Sequence, residues 1–105
     1  MSASIEVDDT TFAREVLEAD TPVLVEFGAT WCAPCRALAP VVERIAEERR
    51  GQCKVVTVDI DDAPRVAKTY GIRSAPTLMV FSGGEKRAVH LGLTSRETIV
   101  AMLER

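Results

Sequence analysis

Val23-Leu24-Val25-Glu26-Phe27-Gly28-Ala29-Thr30-Trp31-Cys32-Ala33-Pro34-Cys35 is the stretch on which the reading of the whole chain turns. Its first five residues are a short, mostly apolar run of β-formers, suited to a strand buried on both faces. Beyond it, Leu38, Val41, Val42, Ile45 and Ala46 follow the i, i+3, i+4, i+7, i+8 spacing of a core-facing helix. Glu43, Arg44, Glu47 and Glu48 are left for solvent. Between strand and helix stand two cysteines three positions apart, with Pro34 in a first turn that tolerates its missing N–H. They could be metal ligands, a structural staple, or thiols that exchange electrons.

Working outward, similar apolar runs recur at Val55 to Val58 and at Thr77 to Phe81. Ser4 to Val7 suits a further strand. Phe12, Ala13, Val16 and Leu17 mark a first helix, capped by Asp9, Thr10 or Thr11. Asp61-Asp62-Ala63-Pro64 announces a helix with acidic caps ahead of a proline; it stops at Gly71, with Val66, Ala67 and Tyr70 facing inward. Ser82-Gly83-Gly84 turns the chain toward a last strand at Ala88 to Leu91. Thr94 and Glu97 read as a capping box opening a terminal helix through Ile99, Val100 and Leu103. The order is β-α-β-α-β-α-β-β-α. Early crossovers predict parallel strands and the late hairpin an antiparallel edge, in a mixed α/β sheet with helices on both sides.

With 105 residues the chain is expected to be a single domain, 1–105, with one core. A 47% hydrophobic and 28% charged balance argues against disorder. No run approaches the roughly 18 apolar residues of a membrane span. Met1 to Asp8 lack the basic start and apolar block of a signal peptide, so a cytoplasmic location is the expectation. A formal charge of -3 with scattered Lys and Arg gives no footprint for nucleic acid or anionic lipid. Three cysteines are too few for a disulfide framework, and a reducing cytosol would not keep a staple oxidised.

Helical residues three apart have side chains roughly 5–6 Å apart, within the Cα separation of about 4.4–6.8 Å that a disulfide accepts. The positive end of the helix stabilises a thiolate most strongly at the first cysteine, which makes Cys32 the nucleophile. Cys35, one turn further in, is expected to be the more shielded, and from there can resolve a mixed disulfide on Cys32. Zinc would need four ligands; the remaining candidates, Cys53 and His90, have no partner at short ligand spacing, so the metal reading is the weaker one.

Trp31-Cys32-Ala33-Pro34-Cys35, Pro40, Asp59-Ile60-Asp61, Tyr70-Gly71-Ile72-Arg73, Ala75-Pro76-Thr77 and Gly92 together resemble the thioredoxin family, nearly end to end. The resemblance implies the thioredoxin fold, a mixed sheet of about five strands flanked by four helices. It implies a protein dithiol-disulfide reductase, monomeric, with the Cys32/Cys35 disulfide as its redox centre and no further cofactor or metal. Its partners would be disulfide-containing substrate proteins and thioredoxin reductase. Pro76 would follow a cis peptide bond and lie against the cysteines, with the Ala75 backbone pairing with an extended substrate. Trp31, Ala33, Pro34, Ile72, Ala75, Leu91, Gly92 and Leu93 would form an apolar docking surface.

Glu26 interrupts a strand expected to be buried, where an unpaired carboxylate is costly to ionise. Most family members carry an aspartate there that exchanges protons with the second cysteine; the plainer reading is an edge-exposed glutamate. Other departures are Gly28 for a common second tryptophan, Ala33 for a glycine, and Thr57 for a lysine. Cys53 reads as a small buried or half-buried hydrophobe, His90 as a surface strand residue, and Pro40 as a helix kink. Two other functions fit the scaffold. One is a disulfide oxidant or isomerase, the other a redox-inactive or weakly active binding module.

Overall fold

The computed structural model describes residues 2–105. Strands β1 (Ile5–Val7), β2 (Val23–Gly28), β3 (Lys54–Asp59), β4 (Thr77–Ser82) and β5 (Glu85–Leu91) alternate with helices α1 (Ala33–Glu48), α2 (Pro64–Thr69) and α3 (Arg96–Leu103) in the expected order. The sheet runs β1-β3-β2-β4-β5. β3 is parallel to both β1 and β2, and β5 is antiparallel to β4.

The reversal of direction comes one strand earlier than the hairpin, because β4 already runs antiparallel to β2. A short helix accompanies it. Six residues of α2 rise only about 9 Å at 1.5 Å per residue, whereas a six-residue strand is about 20 Å long. The helix alone does not span the sheet, and β4 starts where β2 and β3 finish, with Thr77 opposite Phe27.

Period-two alternation splits the core. Val23, Val25 and Phe27 of β2 join Val56, Val58, Met79 and Phe81 beneath Phe12, Val16 and Val66. Leu24 points the other way, with Val55, Leu78 and Val80, against Leu38, Val42 and Ile45 of α1 and Ile99 of α3. Glu26 has the same parity as Leu24 and so faces the α1 side.

Helix starts are where the sequence reading needs correction. The first helical element, Ala13–Leu17, is a π-helical turn, closed by the Glu18 N–H on Ala13 O. Its entry is organised by Asp8, which none of Asp9, Thr10 or Thr11 replaces: Asp8 Oδ1 accepts from Thr10 N at 2.9 Å and Asp8 O from Phe12 N at 3.0 Å. The adjacent acids do not cap α2 either. Asp9, more than fifty residues earlier, accepts from Arg65 N at 3.1 Å and Val66 N at 2.9 Å. α3 starts one residue later than the Thr94 box implies, with Ser95 Oγ accepting from Thr98 N at 3.2 Å.

Glu43 is not left to solvent. It accepts from the Ser2 hydroxyl at 2.8 Å, from Ser4 N at 3.2 Å and from Ala3 N. These donors hold its carboxyl down at about 2, the Ala3 N–H contributing most. With Ser4 N turned to Glu43, β1 begins at Ile5. β5 begins earlier than Ala88, its first three residues, Glu85, Lys86 and Arg87, being exposed charges of the kind that blunt an edge strand. α1 runs through the exposed Pro40 as one helix. Among the described residues, no helix is long and apolar enough to cross a membrane.

Candidate active site

The sheet end reached by β2 and left by β4 is where the singled-out residues gather. Cys32 is the N-cap of α1, in extended conformation, and Pro34 is the second helical residue. A cap residue normally offers a side-chain oxygen to the orphan amides of the first turn. Here Cys32 Sγ does so, accepting from Cys35 N at 3.1 Å. The two cysteines are joined in a disulfide with a Cα–Cα separation of 5.3 Å, well inside the accepted range.

The expected difference in shielding is not found. Cys32 is 3% exposed and Cys35 7%. The cause lies across from Cys35, at Gly28, where a Cβ would stand 3.3 Å from Cys35 Sγ. With no side chain there, Cys35 borders a cavity of about 220 Å³ that also takes in Gly28, Glu26, Thr57 and Asp59, and Cys32 does not border it.

The Ala75–Pro76 bond is cis. Pro76 is buried directly before β4, and its carbonyl accepts from Gly92 N at 2.8 Å, which ties together the two loops that carry Ala75 and Leu93. Trp31, Leu91 and Leu93 are each more than half exposed. Ala33 and Pro34 are exposed, and Ile72, Ala75 and Gly92 half-buried. Two fixing contacts were not readable from the motif: Trp31 Nε1 donates to Asp61 Oδ2 at 2.8 Å, and Arg36 Nη1 to Thr30 O at 2.9 Å. Both hold long side chains of the Cys32 turn, and each depends on where a loop happens to pass.

Glu26 is buried, at 6% exposure, so the edge-exposed reading falls. Its neighbours across the sheet are Thr57 and Leu78. Burial alone pushes its carboxyl up to about 7; the threonine brings no charge to offset the desolvation. Cys53 is half-buried against the α1 side of the core, and burial pushes its thiol up. It lines a different cleft, with Glu15 and Lys54. His90 is half-buried on β5 opposite Leu78.

A family profile for thioredoxin matches residues 3–105. The chain belongs to the thioredoxin family. It is 51% identical over 105 residues to Thioredoxin 1 of Nostoc sp., covering all of this chain and 98% of that one. Against the thioredoxin of Synechocystis sp. the identity is 45% over the same length, again all of this chain and 98% of the other. Against the M-type chloroplastic thioredoxin of Chlamydomonas reinhardtii it is 50% over 99 residues, 94% of this chain and 71% of that one. Thioredoxins are disulfide reductases, and this chain holds a cysteine pair at their active-site spacing. It is a dithiol-disulfide oxidoreductase of the thioredoxin type, as its Trp-Cys-x-Pro-Cys stretch led one to expect.

Proposed function

We propose that the protein reduces disulfides in other proteins with Cys32 as attacking thiol, Cys35 as resolving thiol and Glu26 as the acid and base that serves Cys35. The Cys32 thiolate bonds to one sulfur of a substrate disulfide and expels the other as a thiolate. Cys35, its proton taken by Glu26, then attacks Cys32 Sγ and releases the second substrate sulfur, leaving the intramolecular disulfide. One observation carries this division of labour: Cys32 Sγ caps α1 and accepts the Cys35 N–H, a position that favours negative charge on Cys32. Pro34 stiffens that turn.

The exposed apolar side chains of Trp31, Leu91 and Leu93, with Ala33, Ile72, Ala75 and Gly92 between them, form the docking surface in this reading. An extended substrate segment pairs with the backbone at Ala75, before Pro76. Thioredoxin reductase returns two electrons to the pair, which is the only redox centre the reaction requires. The protein works as a monomer in the cytoplasm, a compartment reducing enough to keep the cycle turning.

Trapping in lysate tests the assignment. Cys35→Ser accumulates mixed disulfides with substrate proteins on non-reducing gels, and Cys32→Ser does not, because only Cys32 makes the first attack. Equal trapping by both variants contradicts the division of labour.

A further inference from the structure

A cavity beside Gly28 lies against the disulfide on the side of Cys35. Three observations converge there. Cys35 borders the cavity and Cys32 does not. Position 28 faces the Cys35 side chain without a side chain of its own, since a Cβ there would stand 3.3 Å from Cys35 Sγ and 3.6 Å from Cys35 Cβ. The buried Glu26 carboxyl borders the same space, and Glu6 and Asp59 add two more acids against one base, Arg36, whose guanidinium is engaged by Thr30 O. A space of about 220 Å³ is too small for a folded protein segment and large enough for a molecule of a few heavy atoms.

We infer that this cavity is an entry site for a low-molecular-weight aminothiol, which attacks the active-site disulfide at Cys35 and so reduces the protein without a protein partner. The ammonium group is drawn by the acids, and the thiolate sulfur meets Cys35 Sγ across Gly28. In the first step a bond forms between the small thiolate and Cys35 Sγ while the Cys32–Cys35 bond breaks. The electron pair leaves on Cys32 Sγ, the better leaving group because it holds the Cys35 N–H at the end of α1. In the second step another thiolate attacks the small-molecule sulfur of the Cys35 mixed disulfide. That frees the Cys35 thiolate and a symmetrical small disulfide. Two small thiolates are thereby oxidised and one protein disulfide reduced. This chemistry leaves Cys32's attack on protein substrates unaltered, so the trapping experiment above can succeed or fail independently of it.

The test treats the oxidised protein with cysteamine, captures freed thiols with N-ethylmaleimide, and maps the peptides by mass spectrometry. Cysteamine is expected on Cys35 and maleimide on Cys32. The anionic mercaptoethanesulfonate, normalised for its thiolate reactivity on an unstructured disulfide peptide, should react about tenfold more slowly, as an acid-lined cleft requires. Gly28→Ala should slow the cysteamine reaction, and Gly28→Val should slow it by on the order of tenfold or more through misplacement of the attacking sulfur. Should the valine variant fail to fold, the alanine variant and the charge comparison in the wild type decide. Cysteamine on Cys32, equal normalised rates for the two thiols, or an alanine variant as fast as wild type would each overturn the inference.

Discussion

At Glu26 an acid occupies a place where β2 would otherwise bury an aliphatic side chain. Its carboxyl stands at about 7 in the fold against an ordinary 4.5, raised by burial. Between those two values the folded protein holds a proton that the unfolded chain has lost. Stability therefore falls as pH rises through the window and stays reduced above it. The full penalty is at most about 3 kcal/mol, from the size of the displacement. Urea unfolding of the oxidised protein at pH 4 and pH 8 should show wild type losing up to that amount relative to Glu26→Gln, the two converging at pH 4; parallel profiles would mean an exposed carboxylate. In rapid-mixing kinetics the same variant should slow resolution of the mixed disulfide by Cys35 and leave the first attack by Cys32 nearly unchanged. The acid was legible because it breaks an apolar run. That Gly28 removes a ring from under the active site could also be read against the family pattern; which cysteine borders the space could not, because that depends on how α1 packs on the sheet.

Single elements are held by contacts distant in sequence. α2 has a proline in its first turn and no local cap, and its first amides are satisfied by Asp9. Asp9→Ala should cost about 1 kcal/mol in urea unfolding, the usual value of a lost N-cap, while Asp62→Ala, at an exposed site, should stay within about 0.5 kcal/mol. The reverse order would restore the local acids as the cap. Glu43 similarly ties residues 2–4 to α1. Its carboxyl is held at about 2, so the tether is intact above the ordinary 4.5 and is lost as pH falls toward 2. The Ala3 amide resonance should accordingly titrate with a midpoint near 2, and Glu43→Gln should abolish that titration. Existence and type of α1 and the strands could be read from apolar spacing. Caps supplied across the fold could not, since an aspartate at residue 9 carries no local mark that it serves a helix starting at Pro64.

For the molecule as a whole, the sequence carries the order of elements and the two-faced core, since alternation in β2 and β4 and the stripe on α1 each admit one burial pattern. The direction of β4 was legible only in part; it goes with a short α2, whose boundary the pattern at Val66, Ala67 and Tyr70 leaves open. Gathering Trp31, Pro76, Gly92 and the cysteines at one sheet end is a consequence of that reversal, because β4 must begin beside the end of β2. The central claim is that this end houses a reducing dithiol, stabilised in thiolate form at Cys32 but not so strongly as to make the pair an oxidant. The reduction potential of the Cys32/Cys35 couple, measured by equilibration with a redox buffer of known potential, tests it most directly. A value near the approximately -270 mV usual for thioredoxins is expected from family membership, and a value near -120 mV, typical of a strong oxidant, would contradict it.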